Sequence, residues 1–539
     1  MILQTRNIEK DHDSFITDYK QILLMKKYIK YTVLFAVALM LLNSCKKFVE
    51  VEPRGAFTET GYYRDATEAF NGLVATYDIL GYQANNFVTK VDVSDAASDD
   101  NVAGGGGPND VTPMQVMSNY TLTPALGPQD SLWAAGYQGV YRANILLAKL
   151  PAVPMDASLK ARYTAEAKAL RAYFYFDLVR LFKNIPLITE PVTVDNAYDI
   201  VQATPLAVYA QIESDLKAAL AETNFPASVP VATEAGRLNK GIVHALLGKV
   251  YLYEKKYTEA AAEFKEVNGA TPGQPSATYG YNLVASYASL WKNANKFNSE
   301  AILEITHTSK SNATWSCLTC GEGNILNIMV GPRNYNILAG KTAPDYISGY
   351  SFLPVTKNFV DFSHNDPRFR ASVANLDSLE KNGIVTYEKG YMNTGYFIEK
   401  FAGRQSDKTT GGGEPVLNYP QDMYEIRLAD TYLMEAEAII VGGGDISRAT
   451  ALITAVRNRA YADGLQHPVA PTLQNIIAER RLELAFEGHR WFDLVRWGIA
   501  GQVLGSKGFV TGKHEILPVP LQELDNTKLK QSREWGGSL

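Results

Sequence analysis

Apolar residues recur at spacings of three and four in one segment after another of this chain, and that period limits its fold more than any other feature. In 65–80 the residues are Ala66, Phe70, Leu73, Val74, Tyr77 and Leu80, the spacing of one face of a helix. Segments 131–150 and 157–182 carry the same signal, and Asn184-Ile185-Pro186 closes the second, since proline cannot continue a helix. Pro205 opens a further helix to Ala221, at the position where its missing N–H costs nothing.

Helices over 240–254 and 258–267 form a tight pair, with Ala260, Ala261 and Phe264 at the spacing of tetratricopeptide helices. No clean period of about 34 residues runs through the chain, yet paired amphipathic helices predict a solenoid-like stack. The pattern breaks in two places. Residues 82–128 read as an irregular loop, with Gly104 to Gly107, Pro108, Pro113 and Pro124. From 273 to 423 Gly, Asn, Pro and aromatic residues are dense, and only 301–307 and part of 388–400 read as strands. Helices resume at Tyr424. Gly442 to Gly444 stop the first and Asp445 caps the next, which runs to Ala460. Two more follow, over 473–486 and 490–497. The expected organisation is a helical part over 63–272, a loop-rich variable part over 273–423 and a second helical part over 424–539.

The N-terminus carries a different signal. Met25 precedes Lys26, Lys27 and Lys30, an apolar run from Tyr31 to Leu42, and Asn43-Ser44-Cys45. A basic start, a short apolar stretch and a small residue make a secretory signal over 25–44. The run is about a dozen residues, against the roughly 20 that cross a bilayer as a helix. Leu42-Asn43-Ser44-Cys45 resembles the lipobox of bacterial lipoproteins, which implies cleavage before Cys45, lipid on that cysteine, and a polar tether over 45–62. Residues 1–24 are polar and mixed in charge, so translation is read as starting at Met25.

Composition removes several function classes. The 52 Lys and Arg against 57 Asp and Glu leave no basic excess for nucleic acid. Only seven His occur, none paired at i, i+4 as in metallohydrolases, and no nucleophile elbow, P-loop or dinucleotide fingerprint implies a cofactor. The 31 Tyr suit both helical cores and sugar faces. Beyond Cys45, only Cys317 and Cys320 remain, as a C-x-x-C. Outside the cytoplasm a local disulfide is the simplest outcome. Free thiols and a metal pair are the alternatives, although two ligands fall short of a structural zinc site.

Six segments, taken together, resemble the SusD/RagB family: Glu479–Gly498 (ERRLELAFEGHRWFDLVRWG), Arg427–Ala438 (RLADTYLMEAEA), Val456–Ala460 (VRNRA), Leu170–Arg180 (LRAYFYFDLVR), Lys240–Tyr253 (KGIVHALLGKVYLY) and His514–Pro520 (HEILPVP). The resemblance implies a mainly α SusD-like fold, with four degenerate tetratricopeptide-like helix pairs supporting a loop-rich, short-strand ligand region. It implies a surface-exposed, lipid-anchored protein of the cell outer membrane that is not an enzyme. Its role would be to bind a nutrient, above all an oligo- or polysaccharide, and pass it to a SusC-like TonB-dependent transporter. Glu479, Arg480, Glu483, Glu487, Arg490, Asp493 and Arg496 interleave with Phe486, Trp491 and Phe492 as a paired ionic junction would. The rival reading is a catalytic site on Glu483, Glu487, His489 and Asp493.

A sugar site needs flat aromatic faces with planar polar groups around them. The family's ligand face is built from variable loops. The matching stretches here hold Tyr82, Asn85, Asn86, Asp99, Asp100 and Asn101 in the first, and Trp315, Asn334 and Tyr335 after the strand at 301–307. Trp315 is the leading candidate, because a disulfide through Cys317 and Cys320 would stiffen the turn beside it. Capture of peptides or glycopeptides, a secreted glycan-degrading enzyme and a pure assembly scaffold are the competing functions. For the N-terminus, mass spectrometry of the precursor is expected to find no peptide covering 11–20. Detection of that peptide would place the start upstream of Met25.

Overall fold

Most of the long helices begin where a short polar side chain can take a free N–H group. In the computed structural model, which describes residues 22–33, 62–193, 195–408, 411–525 and 527–539, Asp65 caps α1 (Ala66–Asp78) and Thr89 caps α2 (Lys90–Ala97). After α3 (Thr112–Ser118) and α4 (Gln129–Lys149), Asp156 caps α5 (Ala157–Phe182). Thr204 caps α6 (Pro205–Ala221), with Pro205 in its first turn, and Asn239 caps α7 (Lys240–Tyr253), which is followed by α8 (Tyr257–Asn268). Beyond the loop-rich region come α9 (Leu428–Gly442), α10 (Ile446–Tyr461) capped by Asp445, α11 (Leu473–Glu483) capped by Thr472, and α12 (Arg490–Arg496). Each cap contributes about 1 kcal/mol.

These helices form a continuous stack. α4 packs on α5, α5 on α6, α6 on α7, α7 on α8, α8 on α9, and α9 on α10. α5 is buried on nearly all sides from Ala165 to Phe182. Gly248 lets α7 and α8 close together, for a Cβ there would lie 2.8 Å from the Phe264 ring. Strands are short and paired: β1 (Ala301–Ile305) runs antiparallel to β4 (Met423–Arg427), and β2 (Arg333–Ile337) to β3 (Val385–Glu388). Two further ladders join 185–186 to 202–203 and 373–375 to 396–398. The β1–β4 ladder sets the two ends of the loop-rich stretch side by side. Residues Tyr63–Leu539 accordingly form a single unit. The other unit, Met1–Tyr62, is described over 22–33, an exposed helix, and at Tyr62. Among the described residues no helix is long and apolar enough to cross a membrane. Cys45, the expected cleavage point and the tether before residue 62 lie outside them.

One expectation is corrected. Residues 82–128 are not irregular throughout, because α2 and α3 lie within them. All of Val91–Ala97 is buried, yet no apolar period marks the helix in the sequence, since Asp92 and Asp95 are among the inward residues. Asp95 accepts the Gly488 N–H at 3.1 Å. Burial pushes the Asp92 carboxyl up to about 7, against a weaker pull from Thr89.

The C-terminal junction holds a dense buried ionic network. Arg427 reaches Glu300 at 2.8 Å, Glu483 at 2.5 Å and Glu487 at 2.8 Å, with all four side chains at most 2 % exposed. Arg368 joins Glu479 and Glu483, Arg459 joins Glu300 and Glu483, and Lys400 joins Glu487. Burial raises the Glu483 carboxyl, but Arg459, Arg427 and Arg368 outweigh that and hold it well below the usual carboxylate range. Most partners lie outside the 479–496 run. Only Arg480 and Arg496 bond within it, both to Asp493.

Two outcomes follow from these buried charges. Arg427→Ala leaves three buried carboxylates short of their shared cation and is expected to cost about 3–5 kcal/mol in urea unfolding. A loss under about 1 kcal/mol would contradict the network's role. Asp92→Asn tests the opposite sign. A carboxyl whose folded pKa is raised contributes full stability below its unfolded pKa of 3.8 and loses it as pH climbs through about 7. The variant is expected to melt a few degrees above the wild type at pH 8 and to lose that advantage near pH 4. Parallel melting curves from pH 4 to 8 would contradict the buried acid.

Candidate functional site

Two loops 236 residues apart in sequence meet at one surface, where the Asn85 side chain donates to the Gly321 carbonyl. The Ile325 N–H donates to the Ala84 carbonyl at 2.7 Å and adds a second tie. Above these bonds the rings of Phe87 and Trp315 stack, with centroids 6.3 Å apart and planes 15° apart. Tyr350 extends the row, 6.5 Å from Phe87 and tilted by 36°. Trp315 is 54 % exposed, a high value for a side chain of its size, so its ring is open to solvent.

The Trp315 loop is fixed from several sides. Cys317 and Cys320 are joined by a disulfide. The Cys317 N–H donates to Thr314 and the Gly321 N–H to Leu318, both at 2.9 Å, making two successive turns. From the neighbouring segment the Glu414 N–H donates to the Ala313 carbonyl at 2.7 Å, and Ser311 donates to Asn418. A platform held this way loses little freedom when a ligand covers it.

Polar groups ring the platform. The Arg333 guanidinium donates to the Tyr350 carbonyl at 3.1 Å and reaches Asp110 at 3.3 Å. Asp110 also accepts the Gly106 N–H. The glycine run before it presses on 351–354: Gly104 has φ +69, and a Cβ there would lie 2.5 Å from the Ser351 carbonyl. A separate hollow of about 380 Å³ opens between α1 and β1, lined by Phe70, Val74, Asp78, Arg237, Thr306 and Glu322. Burial pushes the Glu322 carboxyl up to about 7, and the Asp78 carboxylate beside it adds to the rise.

The expected site residues divide. Tyr82 is half-buried on the rim of the core. Asn86 is half-buried and accepts the Phe87 N–H at 2.7 Å, which sets the loop that carries the ring. Asn334, exposed and at φ +46, donates to Glu388 at 2.6 Å. Tyr335 donates to the Pro344 carbonyl and meets Tyr346 edge-on at 5.3 Å; burial pushes its hydroxyl up to about 12. Neither Asn334 nor Tyr335 contacts Trp315 among the described residues. Asp100 and Asn101 are not on the surface that the sequence reading gives them. They are 1 % and 0 % exposed, and protein groups take them up. Asp100 pairs with Arg481 at 2.7 Å, and Asn101 donates to the Leu353 carbonyl at 2.8 Å. Asp99 pairs with Arg490 and Arg481. The cause is distant in sequence: Arg481, Arg490 and Lys507 cover the C-terminal end of α2, where Lys507 donates to the carbonyls of Ala96, Ser98 and Asn101. Phe87, Tyr350, Arg333 and Asp110 were not foreseen. Phe87 directly follows Asn85-Asn86 and was the legible one.

In the rival catalytic constellation the three carboxylates are all engaged by protein cations. Glu483, Glu487 and Asp493 are each ion-paired, and burial drives His489 down to about 4, hence neutral. Among the described residues no group of three or more His, Cys, Asp or Glu is placed to hold a metal.

Similar proteins sharpen this picture. A family model described as "SusD family" matches residues 356–535, and one described as "Starch-binding associating with outer membrane" matches 65–252. A solved laminarin binding SusD-like protein is 50% identical, covers 87% of this chain and 99% of its own, and superposes with a TM-score of 0.83. Surface glycan-binding protein A from Bacteroides thetaiotaomicron, in complex with laminarihexaose, is 26% identical over 86% of this chain and 98% of its own, with a TM-score of 0.75. SusD-like protein P25 of Formosa agariphila is 24% identical over 89% of this chain and 94% of its own. With half its residues shared along nearly all of one such protein, and family matches over both helical parts, the chain belongs to the SusD family.

Proposed function

We propose that this protein binds a glycan of the laminarin type on the Trp315–Phe87–Tyr350 face and holds it without cleaving it. The observation that carries the reading is the open, braced Trp315 ring stacked on Phe87. The apolar C–H faces of a sugar pack on such rings, and the planar groups around them bond its hydroxyls. Arg333 bonds the Tyr350 carbonyl and Asp110, Asn86 accepts the Phe87 N–H, and Glu322 follows the Trp315 loop and lines the hollow between α1 and β1. A Glu322 carboxyl titrating near 7 can donate a hydrogen bond as well as accept one. The similarity to a laminarin binding protein supports the ligand class.

In this reading the mature protein is tethered to the outer membrane by lipid on Cys45, the helical stack is the frame, and the bound glycan passes to a SusC-like TonB-dependent transporter. Lipid on one cysteine holds durably only when several chains contribute, each buried methylene giving about 0.8 kcal/mol.

Calorimetry of the protein with a panel of glycans, laminarihexaose among them, tests the proposal. Binding is expected with unchanged sugar recovered afterwards, and Trp315→Ala is expected to weaken it about tenfold or more, a loss of about 1.4 kcal/mol or greater. Unaltered affinity in Trp315→Ala would move the site elsewhere, and shortened oligosaccharides would return the catalytic reading.

A further inference from the structure

We infer that a second saccharide-binding site lies in the cleft between Trp291, Arg404 and Gln421. It stands apart from the Trp315 face and does not depend on that face being correct. The cleft has a volume of about 750 Å³, twice the hollow between α1 and β1, within the roughly 300–1,000 Å³ of small-molecule sites.

Its lining combines an aromatic wall with planar polar groups already held in place. Asn327 donates to the Gln421 side chain at 2.6 Å and to the Phe401 carbonyl at 2.7 Å. Gln421 donates to the Lys400 carbonyl at 2.7 Å. Arg404 pairs with Glu399 and lies over the Tyr346 ring, 4.3 Å from its centroid. Lys400 sits over the Trp291 ring at 4.5 Å and pairs with Glu487, which anchors the cleft floor to the buried ionic network.

Four polar atoms on these lining side chains have no protein partner: Trp291 Nε1, Asn293 Oδ1, Asn327 Oδ1 and the Tyr419 hydroxyl. Asn327 and Tyr419 are each 1 % exposed. These atoms lie shielded beneath the cleft surface, and the groups a ligand meets there are the half-buried Trp291, Arg404 and Gln421 side chains. That set mixes guanidinium donors with an amide that both donates and accepts. Sugar hydroxyls, which both donate and accept, match that mixture.

Charge narrows the class. With Lys400 and Arg404 paired, the lining also holds Lys292, Arg370, Asp345 and Asp407, none of them in an ion pair among the described residues. Two cations against two anions select neither an acidic nor a basic ligand, which points to a short neutral oligosaccharide. Tyr419 lines this cleft, while its neighbour Asn418 accepts from Ser311 under the Trp315 loop. One short segment therefore supports both places.

The test is a crystal structure of the full chain soaked in laminarihexaose, for the wild type, Trp315→Ala and Ala294→Trp. Ala294 is an exposed lining residue, so tryptophan there fills the cleft without deleting a side-chain hydrogen bond. Sugar density in the cleft of the wild type and of Trp315→Ala is expected, absent from Ala294→Trp, which keeps sugar at Trp315. Ordered water alone in the cleft of the wild type and Trp315→Ala would overturn the inference. Sugar in the cleft with none at Trp315 would instead overturn the proposed face and leave this site standing. In solution, Trp315→Ala is expected to retain weak binding that falls at least tenfold further when Ala294→Trp is added.

Discussion

The Arg427 guanidinium, enclosed by Glu300, Glu483 and Glu487, is the point on which the two halves of the structure are joined. Arg427 ends β4 and immediately precedes α9, opposite Ala301 of β1. It therefore ties the entry and exit of the loop-rich region to α11 and to the turn before α12. Desolvating these charges costs about what their attraction returns, so the network is weak as a source of net stability. Its consequence is geometric. Any other docking of these segments strands a charge in a dry interior, and the strands and helices meet in one arrangement.

The proposed ligand face rests on that arrangement without sharing its chemistry. Its rings come from loops, Phe87 after α1 and Trp315 after β1, and backbone hydrogen bonds and a disulfide hold them. Loops on a rigid frame can change their side chains without disturbing the fold. The solved structures at 26% and 50% identity share the architecture with this chain.

The helices were legible because their apolar period and their caps agree. Pro205, Asp445, and Pro186 beyond α5 stand where the sequence places them. α2 was hidden because Asp92 and Asp95 occupy inward positions, which breaks the period on which such a reading depends. The charges of Glu479 to Arg496 were recognisable as a network, but their partners Glu300, Arg368, Arg427 and Asp99 are far away in sequence, and no local spacing announces them. The same long-range pairing misled the reading of Asp100 and Asn101. Polar residues in a glycine-rich stretch look solvent-facing until Arg481 and Lys507 arrive from the other end of the chain. Trp315 stood out as a large ring in a loop of small polar residues. Phe87 sits directly after Asn85-Asn86 in the other loop, but its pairing with Trp315, 228 residues on, required the fold.

Backbone hydrogen exchange with and without laminarihexaose tests the central claim most directly, because it reports on both loops at once. The account predicts that amides of 84–88 and 311–322 slow together when the sugar is present, while those of 473–497, inside the ionic junction, do not change. Slowing confined to the helical stack over 129–268, with both loops unaffected, would contradict it.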